Sequence, residues 1–147
     1  MSIVVYNKAQ LEIIENAGAE HNWFTAIVLS AVQLEHNGCL KIKEYFLSLH
    51  AEPNIVDSVL EKFDFRDTVR CLKALEIIDA KEEKKMEEIN TERNHFVHRG
   101  TKEKFKRGKE ADLKYGPLVA EAVRILKEKL DVMRVAVFQT EWKRIGT

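Results

Sequence analysis

The chain has 147 residues, of which 45% are hydrophobic and 33% charged, with only 6 glycines and 2 prolines. This composition supplies enough apolar side chains for a buried core and excludes a disordered chain, and so few turn-forming residues argue against a fold of many β-strands. Lys and Arg balance Asp and Glu at 24 each, so any nucleic-acid-binding surface has to come from a local cluster of charge.

The remaining global features favour a soluble protein. Cys39 and Cys71 are too few for a disulfide framework and lack metal-ligand spacing, so we expect both to be small buried residues. The first residues do not resemble a signal peptide, and the longest apolar run, around residues 26–32, is far shorter than the roughly 20 residues of a membrane span. We therefore predict a cytoplasmic protein with a single domain over residues 1–147 and no membrane association.

Apolar residues recur at helical spacing along most of the chain, and no stretch alternates as a strand does. Asn7 with Gln10 resembles a capping box, which predicts that a first helix begins there and ends near Gly18. A second helix is predicted over residues 22–37. Because it is apolar on nearly every side, we expect it to be central. Gly38 either ends this helix or kinks it, since a helical pattern continues beyond it.

Two short apolar stripes follow a break in the chain at residues 52–54, where Asn54 is the predicted helix cap. The first stripe covers residues 56–63 and the second covers residues 69–78. Each stripe is long enough for a short helix.

Two longer helices are predicted in the last part of the chain. Asp79 with Glu82 forms a second capping-box pattern, and the helix that it opens ends at Gly100. Residues 101–116 are polar and basic and predict a loop. A long closing helix follows over residues 117–137, with its proline in the first turn. The sequence therefore predicts an all-α, antiparallel bundle of five or six helices.

The helix that follows Asp79 carries an unusual cation. Its apolar stripe runs through Met86, Ile89 and Phe96, and the position between the last two is Arg93. A permanent positive charge on an apolar stripe is costly unless it meets an anion or another protein chain. Arg93 is therefore a candidate functional residue.

Two further polar residues follow Arg93 on the same helix. Asn94 and His98 are four residues apart and share one face. Arg93 and His98 lie about 140° apart on a straight helix, so one helix does not bring both side chains to one point. A bend near Gly100, or a second copy of the chain, would bring them together.

A cluster of cations begins directly after His98. Residues 99–109 contain six cations and one anion, a net charge of +5. Phosphate groups are natural partners for such a cluster, although charge alone equally describes a solvated loop. The six cations are Arg99, Lys102, Lys104, Lys106, Arg107 and Lys109.

The motif and its setting resemble the HEPN family of small all-α domains. Arg93, with Asn94 directly after it and His98 beyond four intervening residues, matches the Arg-x4–6-His motif of that family. The chain length, the apolar second helix and the long closing helix after a variable loop are also similar. Many HEPN domains are endoribonucleases that need no metal, and several act as toxins, in phage defence or in RNA processing. The resemblance implies an RNA-cleaving enzyme that leaves a 2′,3′-cyclic phosphate, with no cofactor.

The resemblance also implies roles for individual residues. His98 would act as general acid or base, Arg93 would hold the scissile phosphate, and Asn94 would orient His98 or a phosphate oxygen. Glu35 and His95 are supporting candidates, and the six cations after His98 would bind RNA. In the family, two protomers pack with their motifs facing each other. Such a homodimer would explain both the divergence of Arg93 from His98 and the cation on an apolar stripe.

Other interpretations compete with catalysis. Many HEPN domains are inactive modules that bind nucleotide, RNA or protein, paired with an antitoxin or a nucleotidyltransferase. Gly100 stands where some HEPN toxins have a Tyr that a nucleotidyltransferase modifies, which argues against that form of regulation. In a plain helical dimerisation domain, Arg93 would instead make an ion pair at the interface. Glu92 and His95 have the Glu-x-x-His spacing of di-iron bundles, but no second copy of it exists.

Overall fold

Six α-helices make up most of the chain that the structure describes, and no strand occurs there. The computed structural model describes residues 3–98 and 108–131, with the backbone alone for residues 3–8. In chain order the helices are α1 (Ile3–Ala19), α2 (Trp23–Ser48), α3 (Pro53–Leu60), α4 (Phe65–Ala74), α5 (Ala80–His98) and α6 (Lys109–Glu128). The prediction of an all-α helical bundle is confirmed.

The second helix is central, as its apolar surface predicts. α2 packs against each of the other five helices, and its buried residues extend from Trp23 to Ile42. Three of them are polar: Ser30, Gln33 and Asn37. Gln33 Nε2 donates to Asn37 Oδ1 at 2.7 Å, and Asn37 Nδ2 donates to the backbone oxygen of Leu130 at 3.3 Å. Neither α2 nor any other described helix has the length and hydropathy of a membrane span.

Gly38 neither ends nor breaks α2, which continues to Ser48. Its role is close packing against α4. A Cβ atom at Gly38 would lie 2.7 Å from Cγ2 of Thr68 and 3.0 Å from Cδ1 of Leu72, both nearer than side-chain carbons approach one another. A mid-helix glycine costs about 1 kcal/mol relative to alanine. At this position the absence of a side chain allows α2 and α4 to pack in direct contact.

Two of the predicted helix starts are confirmed. The side chain of Asn22 caps α2 by accepting a hydrogen bond from the backbone of Thr25. Asp79 and Glu82 form the predicted capping box before α5: the Glu82 N–H donates to Asp79 Oδ1 at 2.8 Å, and the Asp79 N–H donates to Glu82 Oε1 at 2.9 Å.

Two other predicted starts are wrong. α1 already begins at Ile3, so Asn7 lies inside the helix and does not cap it. Before α3, the cap is Glu52, whose Oε2 accepts from the backbone of Ile55 at 2.8 Å, and Asn54 lies inside the helix. The proline at position 53 explains the second difference. Its fixed φ suits the first residue of a helix, so the residue directly before it, Glu52, becomes the cap.

The apolar stripe predicted over residues 69–78 covers a helix and a turn. α4 ends at Ala74, and Glu76 has a left-handed backbone with φ of 59°. Ile78 is still buried, because it folds back onto the core from the turn. The start of α4 was not predicted: Asp64 and Asp67 form a second capping box there.

The loop predicted over residues 101–116 is wrong for its second half. α6 begins at Lys109, and Pro117 lies inside it rather than in the first turn. Tertiary contacts of the first turns explain this, since Asp112 accepts a hydrogen bond from the Trp23 indole and Tyr115 packs on Phe96. The proline removes one backbone donor, but at an exposed position where water can reach the freed carbonyl. α6 also ends earlier than predicted, at Glu128.

Candidate functional site on α5

The capping box at Asp79 starts α5, and its buried stripe fixes the rotation of the helix. Met86, Ile89 and Phe96 are each at most 1% exposed, so the side of α5 that carries them faces α2 and the core. Arg93 lies on the same side but is only half-buried. The long side chain therefore leaves the core and extends to the edge between α5 and α4.

Arg93 lies over the ring of Phe65, the first residue of α4. Its Cζ atom is 5.9 Å from the ring centroid, a distance at which a guanidinium is attracted to an aromatic face. Nη2 donates a long hydrogen bond of 3.4 Å to Oδ1 of Asn94. Within residues 9–98 and 108–131, no carboxylate forms an ion pair with Arg93. The guanidinium therefore interacts only with an aromatic ring and an amide oxygen among the described side chains, and it remains available to bind an anion.

The acidic neighbour of Arg93 in the chain faces the other way. Glu92 Oε1 is 3.4 Å from Nζ of Lys114 on α6, and Oε2 is 3.7 Å from Nδ1 of His95. The side chain of Glu92 is 12% exposed, and its Oε2 accepts no hydrogen bond within the described part of the chain. Successive helical residues point about 100° apart, which directs Glu92 to α6 and Arg93 to α4.

His98 is the last residue of α5, and it is exposed. No side chain that the structure describes forms a hydrogen bond or an ion pair with its imidazole. An exposed imidazole can accept or donate a proton, which is the chemistry that general acid–base catalysis requires. Val97 beside it is 48% exposed, so the end of α5 also presents apolar surface.

Arg93 and His98 do not converge within one chain. α5 is helical through His98, so the five residues between them rotate the two side chains about 140° apart. Asn94 lies one turn before His98 on the same face and receives the hydrogen bond from Arg93. Gly100, where the helix was predicted to end, lies outside the described residues. A single chain therefore presents Arg93 towards α4, and Asn94 with His98 on a separate face of α5.

The other predicted site residues are spread more widely. Glu35 is half-buried on α2 and forms no ion pair with Arg93 in the described part of the chain. Burial, with a smaller contribution from the Glu35 charge, raises the pKa of the Cys39 thiol. His95 is 36% exposed and is directed to Glu92. Lys109 is exposed as the first residue of α6, and the remaining five cations of the basic cluster lie outside the described residues.

Two half-buried cysteines lie near the α2–α4 contact rather than in the core. Cys39 Sγ is 3.4 Å from Oγ1 of Thr68, and neither Cys39 nor Cys71 forms a disulfide. Burial raises the pKa of both thiols, which leaves them protonated at neutral pH. The expectation of small buried residues holds in part, since both cysteines are half-buried and Cys71 packs against the core.

An aromatic cluster holds the end of α5 against α2 and α6. Phe96 packs on Tyr115 with ring centroids 5.1 Å apart, and on Phe24 at 5.9 Å. Trp23 Nε1 donates to Oδ1 of Asp112 at 2.9 Å, which together with a bond from His21 holds the pKa of that carboxyl below its usual range. These contacts fix the start of α6 beside the end of α5. Lys109 thereby lies one turn before a firmly held residue.

Phe65 was missed by the sequence patterns, although it supports Arg93. Its position could have been inferred in part, because Asp64 and Asp67 have the i, i+3 spacing of a capping box and mark the start of α4. The contact between Phe65 and Arg93 joins residues far apart in the sequence, and no local pattern reports such a contact.

The di-iron alternative finds no support in the described residues. Glu92 and His95 are close to each other, but no three His, Cys, Asp or Glu side chains there are grouped as metal ligands would be.

Comparisons of the chain with family profiles, with curated proteins and with solved structures found no match. The functional hypothesis therefore depends on the side chains of α5 and their surroundings.

Proposed function

We propose that this protein is a metal-independent endoribonuclease of the HEPN type, which cleaves RNA to a 2′,3′-cyclic phosphate. One observation carries the proposal: Arg93 is a half-buried cation with no carboxylate partner in the described part of the chain, and it donates to Asn94, which shares one face of α5 with the exposed His98. An unpaired guanidinium suits a phosphate, and an open imidazole suits proton transfer.

The chemistry requires one proton acceptor and one proton donor. The 2′-hydroxyl loses its proton to a neutral His98 imidazole and attacks the adjacent phosphorus. The bond from phosphorus to the 5′-oxygen breaks, and a protonated imidazole supplies the proton that this oxygen takes up. Arg93 stabilises the additional negative charge on the phosphate oxygens in the transition state. The products are a 2′,3′-cyclic phosphate and a 5′-hydroxyl.

A homodimer is part of the proposal, because one chain separates Arg93 from His98. A second copy would place its own His98 near the first copy's Arg93, so that one imidazole acts as base and the other as acid. Val97 next to His98 is 48% exposed and would lie within such a contact.

The test uses end-labelled RNA incubated with the purified protein in the presence of EDTA. We expect cleavage by the wild type and a loss of about 10²- to 10⁴-fold in rate for His98→Ala, because one proton-transfer group is removed. His36→Ala is the matched control, since this histidine is also exposed but lies on α2 and does not belong to the candidate site. Full activity of His98→Ala, or equal losses in both variants, would contradict the proposal.

A second candidate function is RNA binding without cleavage. The divergence of Arg93 and His98 along α5 favours it, because binding needs only the cations and no shared reaction centre. In that case the wild type would bind RNA with strong salt dependence and leave it intact.

A further inference from the structure

We propose that one side of α4, formed by Arg66, Arg70 and Lys73, binds the phosphate backbone of single-stranded RNA and leads it to Arg93. We call these three residues the α4 basic flank. The inference rests on the proposed ribonuclease function, to which it adds the surface that holds the substrate. None of the three residues belongs to the motif or to the basic cluster after His98.

The α4 basic flank is a row of cations on a single side of the helix. Its members are four and three residues apart, so they lie within about 60° of one another and extend about 10 Å along the helix axis. Arg66 and Arg70 are exposed, and Lys73 is half-buried. Within the described residues, no carboxylate forms an ion pair with any of the three. Such a row can exchange its counterions for phosphates.

The contacts of α4 show where the row lies. Thr68 packs against α2, whereas Phe65 lies beneath Arg93 of α5. Around the helix, the α4 basic flank lies about 80° to 140° from Phe65, on the side away from Thr68. The row therefore runs along the border with α5, and its first member follows the residue that supports Arg93.

Within the described part of the chain, Asp64, which caps α4, and Asp67 in its first turn form no ion pair with this row, although the charge of Arg66 is one of the smaller causes of the lowered pKa of Asp64. Asp64 accepts a hydrogen bond from the Asp67 N–H at 2.8 Å, and Asp67 accepts from the Asp64 N–H at 3.2 Å. These bonds hold both carboxylates at the N-terminus of the helix, where the helix dipole favours negative charge. The backbone N–H of Asp67 also lowers the pKa of Asp64, which indicates that its charge is already stabilised.

Single-stranded RNA is the occupant that fits these features best. A short row of cations that leads to a guanidinium without a carboxylate partner can follow one flexible strand of phosphates. Positively charged surfaces of this kind follow the backbone in proteins that bind single strands. Double-stranded RNA would require a contact surface spanning successive grooves, which is much longer than this row.

The experiment measures the affinity of a short fluorescein-labelled single-stranded RNA by fluorescence anisotropy over a series of salt concentrations. All proteins carry His98→Ala so that the RNA stays intact. We expect Arg66→Ala with Arg70→Ala to weaken binding on the order of tenfold and to reduce the salt slope by about 1.4, because each phosphate contact to a single strand contributes about 0.7.

The matched control is Lys81→Ala with Lys84→Ala. These lysines are equally exposed, form no ion pair in the described part of the chain, and lie on the side of α5 away from α4, where Lys84 lines the groove towards α6. The control should leave both the affinity and the salt slope unchanged. Equal losses in the two double variants would overturn the proposed surface, as would tighter binding of double-stranded than of single-stranded RNA.

Cleavage by proteins with an intact His98 separates this inference from the proposed function. If Arg66→Ala with Arg70→Ala cleaves RNA with an unchanged KM, the α4 surface is rejected and the ribonuclease stands. If RNA binding depends on the α4 basic flank but the wild type never cleaves, the surface stands and the ribonuclease is rejected. If the wild type neither binds nor cleaves RNA, both are overturned.

Discussion

Two carboxylates of α5, Glu82 and Glu92, pair with cations of α6, whereas Arg93, which faces α4, has no carboxylate partner in the described residues. Towards α6, Glu82 is only 2% exposed and lies 3.0 Å from Nη2 of Arg124, and Glu92 lies 3.4 Å from Nζ of Lys114. Arg124 also binds Glu121 and Glu128 of its own helix, and these carboxylates raise its pKa. The charges on this side link two helices.

Towards α4, Arg93 is attracted by an aromatic ring and an amide oxygen, and the cations of the α4 basic flank have no carboxylate partner in the described chain. Unpaired cations contribute little to folding and repel one another. The comparison separates charges that stabilise the bundle from charges that are available to a ligand, and the second group contains the predicted site.

The largest effect is expected from replacing Arg93 with Met. Met fits the apolar stripe of α5 and the adjacent Phe65 ring, so the free energy of unfolding should change by less than about 1 kcal/mol. Cleavage should fall by about 10²- to 10³-fold, because one positive group that stabilises the transition state is lost. Urea unfolding and the RNA cleavage assay measure the two effects. A loss of stability with unchanged cleavage would show that Arg93 stabilises the fold and does not bind the substrate.

The opposite outcome is expected for Arg124→Met on the side that faces α6. Glu82 would stay buried with only Lys129, 3.9 Å away, as a cationic neighbour. We expect a loss of about 2 kcal/mol in the free energy of unfolding, which is below the usual cost of breaking a buried pair because Arg124 is partly exposed. Lys127→Met is the control, since its pair with Glu15 is exposed on both sides and is worth less than about 1 kcal/mol. Cleavage should not change in either variant.

The smallest effect is expected in the pH dependence of the free energy of unfolding, which arises from carboxylates near the contact between α5 and α6. Hydrogen bonds from Arg124 hold the pKa of Glu121 below its ordinary value, and the Glu82 N–H does the same for Asp79. Because these pKa values are lower in the folded than in the unfolded chain, stability is fully present above the unfolded values and decreases as the pH falls through the folded ones. Urea unfolding between pH 7 and pH 3 should show this decrease, and Glu121→Gln should make it shallower. An identical pH profile in that variant would contradict this interpretation.

The sequence predicted those parts of the fold that local patterns report. The spacing of Asp79 and Glu82 identified the start of α5, and the apolar surface of α2 identified the central helix. The helix caps predicted at Asn7 and Asn54 were wrong because asparagine is not confined to caps, and both residues lie inside helices. Pro117 was misplaced because the packing of Trp23 and its neighbours against α6 outweighs the local preference of proline.

The sequence indicated which residues are candidates for the site, but not how their side chains lie relative to one another and to α4 and α6. The interrupted stripe of α5 identified Arg93, and its half-buried position at the edge of the core agrees with that expectation. The contact with Phe65 and the turning of Glu92 towards α6 depend on how α4 and α6 pack, which no spacing in the sequence reports. The assignments of Asn94 and His98 stay predictions.

The close packing of α2 against α4 at Gly38 also bears on the candidate site. α4 lies against α2 at a separation that leaves no room for one methyl group between Gly38 and Thr68. The same helix carries Phe65 at its start, so a larger residue at position 38 would require Thr68 and Leu72 to move, or α4 together with the ring beneath Arg93. The absence of a side chain at Gly38 thereby preserves the close contact of α2 with the helix that supports Arg93.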